Sequence, residues 1–141
     1  MKTIFFFPLL IFLVVSTSGW SQTKGQGGNQ LKVKVFYFHP SDRCPIDQSI
    51  EDNTKAVMQS YFLKETANGT ILFKVMNTDD KANASVVSKF DINAQALYIV
   101  KVENGKETQK DLTRFAFDYG KSNPGKFKAD LKAEIEKALK R

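Results

Sequence analysis

Residues 35–47 read VFYFHPSDRCPID, and this stretch joins an apolar strand to the start of a helix. The strand begins at Leu31 and first alternates apolar residues with lysines, then becomes apolar on both faces before Phe38. A strand that loses its polar face is entering a buried, central position in a sheet. Pro40 ends the strand and Pro45 suits the first turn of a helix, so the pattern places Cys44 at the strand-to-helix junction.

The rest of the chain supplies three more strands and further helices. The first helix carries an apolar stripe at spacings of three, four and seven residues, formed by Ile46, Ile50, Val57, Met58, Tyr61 and Phe62, and Asn68-Gly69 ends this unit. Strands are predicted at residues 70–76, 96–102 and 107–112, a short helix at 82–90, and a helical turn at 114–119. Asn104-Gly105 suits a tight hairpin between the last two strands.

The last helix is predicted from Asn123-Pro124 onward. Its stripe consists of Phe127, Leu131, Ile135 and Leu139. The predicted order is β-α-β-α-β-β-α, an α/β fold with a central four-stranded mixed sheet flanked by helices. The crossover between the first two strands should be right-handed, and the hairpin makes the last two strands antiparallel.

The amino terminus has the pattern of a secretory signal peptide. Lys2 provides positive charge, residues 4–15 are almost entirely apolar, and small residues follow up to Ser21. We expect cleavage after Ser21, with the alternative of an uncleaved membrane anchor, although the apolar run is short for a spanning helix. The predicted division is a signal peptide over 1–21, a flexible polar leader over 22–30 and one domain over 31–141. The protein is then exported to the periplasm or the extracellular space, with no stable membrane span after cleavage.

The charge pattern argues against a nucleic-acid-binding protein. The formal net charge is +6, and much of the excess lies in residues 121–141. No aromatic residues are interleaved with these basic residues in a pattern that would read bases, so a solvated helix face is the simplest interpretation. The sequence also has too few cysteines and histidines for an ordinary zinc site and no glycine-rich phosphate loop, and we predict no metal and no cofactor.

The single cysteine limits the redox chemistry open to the chain. Cys44 cannot form an intramolecular disulfide, so it is a buried inert thiol, a reactive thiol or half of an intermolecular bond. The last case would give a disulfide-linked dimer. A helix amino terminus favours the thiolate, and Arg43 or His39 could add to that effect, whereas the negative charge of Asp47 opposes it.

The chain resembles the thioredoxin-like superfamily, and within it the nitrophenyl-compound nitroreductase subunit ArsF family. The resemblance rests on FYFH at residues 36–39 followed by Arg43-Cys44, on NAQAL at 93–97 before the third strand, and on DLTRFAFDYGKSNP at 111–124. It implies a thioredoxin-like fold whose redox centre follows the first core strand. No flavin- or nicotinamide-binding pattern is visible, so the nitroreductase activity is not carried over to this chain.

Two departures from the family pattern change what the resemblance implies. Thioredoxin-like oxidoreductases usually carry Cys-x-x-Cys, but here Asp47 stands at the second position. They also place a cis-proline before the third strand, where the matching residue is Ala96, expected to have a trans peptide bond. An ordinary dithiol mechanism is therefore not expected.

Two functions remain open from the sequence. In the first, Cys44 works as a monothiol that exchanges disulfides with protein thiols or a small-molecule thiol. Asp47 then serves as proton acceptor or as a simple helix cap, Arg43 steers an anionic partner or is merely solvated, and His39 carries protons or only plugs the end of the strand. In the second, the chain is a redox-inactive binding or accessory module of an envelope reductase or electron-transfer complex.

Overall fold

A mixed four-stranded sheet forms the centre of the domain. The computed structural model describes residues 30–140, so the predicted signal peptide (1–21) and nearly all of the predicted leader (22–30) lie outside the described residues. The strands are β1 (Val33–His39), β2 (Ile71–Asn77), β3 (Ala96–Glu103) and β4 (Lys106–Asp111). Their order is β2-β1-β3-β4, with β1 parallel to β2 and antiparallel to β3, and β3 antiparallel to β4. The predicted mixed sheet is confirmed.

Helices flank this sheet. They are α1 (Pro45–Tyr61), α2 (Leu63–Ala67), α3 (Ala84–Lys89), α4 (Thr113–Tyr119) and α5 (Pro124–Leu139), and a 3-10 turn (Lys81–Asn83) precedes α3. The predicted crossover helix is interrupted at Phe62, whose backbone leaves the helical region at φ −128° and ψ 19°. Phe62 turns into the core, and Tyr61, predicted to lie in the apolar stripe, is instead 54% exposed. The prediction for Tyr61 was wrong because only one of two adjacent aromatic residues can face the sheet.

β1 is buried on both faces and joins two apolar layers. Val33, Val35 and Tyr37 pack with α1, α4 and α5, where Phe127, Leu131 and Ile135 are wholly buried. Phe36 and Phe38 face the other side and meet Phe90, which follows α3, in aromatic contacts with ring centroids 5.5 and 5.7 Å apart. This arrangement confirms the predicted central position of β1 and the predicted stripe of the last helix, of which only Leu139 is partly exposed.

The hairpin between β3 and β4 forms as predicted. Asn104 and Gly105 both have positive φ, 51° and 76°, which is the backbone that a tight two-residue turn needs. Every residue of β4 is exposed, and β4 is an edge strand of the sheet.

Gly120 marks a close approach between α1 and the end of α4. Its φ of −56° is open to any residue, so space rather than conformation requires a glycine there. A β-carbon at this position would stand 2.5 Å from Cγ1 of Ile50 and 2.6 Å from the carbonyl oxygen of Ala116. The Gly120 carbonyl accepts hydrogen bonds from Ser49 Oγ and Asn53 Nδ2, each at 2.9 Å. These contacts anchor the segment 111–124 to α1.

Candidate functional site

Cys44 is the N-cap residue of α1 and is exposed. Its backbone is extended, with φ −87° and ψ 164°, and Pro45 occupies the first helical position. The loop 40–44 brings it there directly from the end of β1. The buried thiol considered from the sequence is therefore wrong, because the side chain of Cys44 is open to solvent.

Asp47 lies one turn into α1 and is wholly buried. Its Oδ2 accepts hydrogen bonds from the backbone N–H of Cys44 and from Nε2 of Gln95, both at 2.9 Å. Within the described chain, its Oδ1 has no hydrogen-bond partner. Burial alone would raise the pKa of Asp47, but the hydrogen bonds from Cys44 and Gln95, together with the charge of Arg43, outweigh burial and hold that pKa below its ordinary value.

This environment favours the helix-cap role of Asp47 over the role of proton acceptor. A carboxyl whose pKa is lowered is an anion at neutral pH and a weak base. The negative charge therefore stays beside the thiol, while the carboxylate closes the first turn of α1.

Arg43 is bound rather than solvated. Its Nη2 contacts Oε2 of Glu51, a carboxylate only 7% exposed, and Lys55 contacts the other oxygen of the same carboxylate. Burial would raise the pKa of Glu51, but the hydrogen bond from Lys55 and the charge of Arg43 hold it below its ordinary value. The expectation that Arg43 is solvated was wrong. Glu51 lies eight residues further along the chain, and the path of the loop and helix brings its carboxylate within reach of Arg43.

His39 ends β1 and is half-buried. Its Nδ1 lies 2.8 Å from the carbonyl oxygen of Pro40, which can only accept, so we assign the proton to Nδ1. Its ring lies 6.1 Å from that of Tyr37. The contacts described for His39 are with residues at the end of β1. They are the contacts expected of a side chain that closes the end of a strand.

Tyr37 connects β1 to the first turn of α1. Its hydroxyl donates a hydrogen bond of 2.9 Å to the backbone carbonyl of Asp47, so the first turn of α1 is fixed to β1. Burial, and then the negative charge of Asp47, raise the pKa of Tyr37 far above its ordinary value. The phenol is therefore a neutral hydrogen-bond donor at any physiological pH.

The loop before β3 reaches the site through Gln95 rather than Ala96. Ala96 is buried, lies opposite Phe38 in the sheet and has a trans peptide bond, as expected. The preceding residue, Gln95, provides the contact to Asp47.

Three further residues, Gln95, Glu51 and Tyr37, belong to this cluster and were not predicted as members of it. The spacing of four residues between Asp47 and Glu51 was a usable signal, because it sets both carboxylates on one face of α1. The contacts of Gln95 and Tyr37 span 48 and 10 residues of sequence and depend on the packed sheet.

Residues 30–140, which the structure describes, form the helices and strands given above. None of their helices is long and apolar enough to cross a membrane. The same residues contain no cluster of three or more histidine, cysteine, aspartate or glutamate side chains that could hold a metal ion.

Comparisons with known proteins add little. No protein-family model matches the chain. No curated protein matches it either. Among solved structures, it is similar to a chain described as "Structure of a malarial protein", with a TM-score of 0.48 and 20% identity, over 77% of this chain and 99% of that one.

Proposed function

We propose that the protein is an exported thioredoxin-like domain that uses Cys44 as a monothiol in thiol–disulfide exchange. The observation that carries the proposal is the exposed thiol of Cys44 at the N-cap of α1, beside the wholly buried carboxylate of Asp47. The order β2-β1-β3-β4, the parallel β1–β2 pair and the antiparallel β3–β4 hairpin support a thioredoxin-like topology. In such a fold, the reactive centre follows the first core strand.

The reaction needs a second thiol from outside the chain. The Cys44 thiolate attacks one sulfur of a partner disulfide, forms a mixed disulfide and releases the other sulfur as a thiolate. A second thiolate, from a protein or a small molecule, then attacks the partner sulfur and releases the Cys44 thiolate. The disulfide bond is passed on, and no net oxidant is consumed.

The neighbouring residues hold the thiol in place rather than exchange protons with it. Asp47 and Tyr37 fix the first turn of α1, and Gln95 fixes the loop before β3 to the same carboxylate. The thiol is therefore presented at the amino-terminal end of α1, a helix of 17 residues.

The test is the reaction of the reduced chain with the neutral reagent bis(2-hydroxyethyl) disulfide, followed by mass spectrometry. We expect one mixed disulfide per chain, released again by a second thiol, and no adduct in Cys44→Ser. The same thiol in the urea-unfolded chain is the reference. A folded chain that reacts more than tenfold slower than the unfolded one at the same pH would overturn the proposal, because the fold would then protect the thiol.

A binding module is the second candidate, and the environment of Asp47 and Arg43 favours it. Both residues have structural partners, one in the helix cap and one in the pair with Glu51. If partners of the envelope are captured equally well by the native chain and by Cys44→Ser, this candidate replaces the first. Capture only as a mixed disulfide supports exchange.

The export proposal has its own measurement. The mass of the protein isolated from its host without reductant reports cleavage after Ser21 and any adduct on Cys44 together. A non-reducing gel of the same sample separates a disulfide-linked dimer from a small adduct. Retention of residues 1–21 would contradict the proposed cleavage.

A further inference from the structure

The cation nearest to Cys44 in sequence already has a carboxylate partner. Arg43 binds Glu51, so the guanidinium is directed toward α1 and part of its field is offset by a carboxylate that it shares with Lys55. Arg43 is only 25% exposed in this arrangement. An incoming anion would have to compete with Glu51 for it.

The loop that carries Cys44 (residues 40–44) contacts the acidic segment 77–80 at the end of β2. The backbone N–H of Ser41 donates a hydrogen bond of 2.7 Å to Oδ2 of Asp79, and Asn77 Nδ2 donates one of 2.9 Å to Ser41 Oγ. Ser41 is three residues before Cys44, so their Cα atoms lie at most about 11 Å apart. The hydrogen bond from Ser41 lowers the pKa of Asp79, which keeps this exposed carboxylate charged.

The negative charges at this end are not offset by ion pairs. Asp42 and Asp79 are exposed, and neither forms an ion pair with any residue in the range 30–140. Lys81 follows Asp80 directly, so these two exposed charges of opposite sign are adjacent in the chain. The buried carboxylate of Asp47, with an oxygen that lacks a described partner, adds a third negative charge within one helical turn of the thiol.

Lysines gather at the opposite end of the sheet. Lys32, Lys101 and Lys140 line a surface depression of about 250 Å³ between the start of β1 and the end of β3, together with Glu103, which forms an ion pair with Lys101. Although the whole chain is basic, this positive charge lies far from Cys44.

We infer that the Cys44 site selects disulfides and thiols that carry positive charge and disfavours anionic ones. This inference rests on the proposed exchange function and reverses the expectation that Arg43 steers an anionic partner. The substrate class is a disulfide flanked by ammonium or guanidinium groups, as in a lysine- or arginine-rich protein segment. Glu51, through its hold on Arg43, is a specificity-determining residue, because without it the guanidinium is free to turn toward the thiol.

The test compares three methanethiosulfonates: a cationic trimethylammonioethyl reagent, an anionic sulfonatoethyl reagent of similar size, and a smaller neutral methyl reagent. In each case the Cys44 thiolate forms a disulfide with the reagent's sulfenyl sulfur and releases methanesulfinate. The full chain is used at pH 8, above the range in which histidine ordinarily titrates, and the rates are divided by those of neutral N-acetylcysteine amide. We expect a normalised cation-to-anion ratio of about tenfold at 10 mM ionic strength, approaching one at 0.5 M.

Variants assign the preference to residues. Glu51→Gln should lower the ratio at least threefold, whereas Glu65→Gln on α2 is a matched control that should leave it unchanged. Asp42→Asn with Asp79→Asn should lower it to a similar degree while keeping the hydrogen-bond acceptor for Ser41, so the inference stays testable if Glu51→Gln fails to fold. Normal reaction with the neutral reagent and a ratio near one at low salt would overturn this inference alone. Poor reaction with all three reagents would overturn the proposed function.

Discussion

Asp47 carries both the local stability and the local charge of the candidate site. One carboxylate oxygen accepts hydrogen bonds from the backbone amide of Cys44 and from the side chain of Gln95, which lie on two different segments of the chain. A second cysteine at this position could not accept either hydrogen bond well, because sulfur is a weak acceptor. The aspartate at this position therefore closes the start of α1 in a way that a cysteine would not.

We predict that Asp47→Ala lowers the free energy of unfolding by about 1–3 kcal/mol near pH 7, because two part-buried hydrogen bonds to the carboxylate are lost. The pKa of Asp47 is lower in the folded protein than in the unfolded chain, so this stabilisation is present above the unfolded value and is lost as pH falls through the folded one. Denaturant unfolding from pH 7 to pH 3 should show the two proteins converging in acid.

Asp52→Ala is the matched control for that measurement. Asp52 is exposed on the same helix, and its removal should change stability by no more than about 0.5 kcal/mol. A difference between Asp47→Ala and the native chain that is independent of pH would contradict the assigned role of the carboxylate.

At the scale of elements, the features that were predicted correctly are those that a local sequence pattern decides. The burial of β1, the hairpin at Asn104-Gly105 and the stripe of α5 depend on residues within one strand, turn or helix, and all are confirmed. The interruption at Phe62 was not predictable, because Tyr61 and Phe62 both fit the helical spacing and only the finished sheet selects between them. The contact between Gln95 and Asp47 was hidden for the same reason, since it exists only after β3 has paired with β1.

The packing of α4 against α1 gives a prediction at this scale. Gly120→Ala should destabilise the protein by about 1–3 kcal/mol, because the added methyl group meets the buried Ile50 and the Ala116 carbonyl. Gly125→Ala is the control: its nearest neighbour would be 3.7 Å away, so it should be neutral or stabilising. Thermal and denaturant unfolding measure both, and equal stability of the two variants would contradict the close approach.

For the whole molecule, the central strand and the edge strand are the two extremes of the sheet. β1 is paired on both sides and buried on both faces, whereas β4 is paired on one side and exposed throughout. Local opening should therefore reach β4 long before it reaches β1.

Amide hydrogen exchange measures this difference directly. We expect the amides of β1 to exchange about a hundredfold more slowly than the paired amides of β4, a gap of about 2.7 kcal/mol in opening free energy. Equal protection of the two strands would mean that the sheet opens only as a whole, in contradiction to this prediction.

The exposed edge of β4 also bears on self-association. In an antiparallel ladder, two residues that face each other either both direct their backbone N–H and C=O groups toward the partner strand or both direct them away. A second copy of β4 can therefore pair with the first only when odd-numbered residues face odd-numbered residues and even-numbered residues face even-numbered residues. Its lysines are both even, Lys106 and Lys110, and its acidic residues are both odd, Glu107 and Asp111. Two copies can thus align lysine with lysine or acid with acid, and never one with the other. Like charges directly opposite destabilise a sheet, so the free edge of β4 resists antiparallel pairing with a second copy of itself.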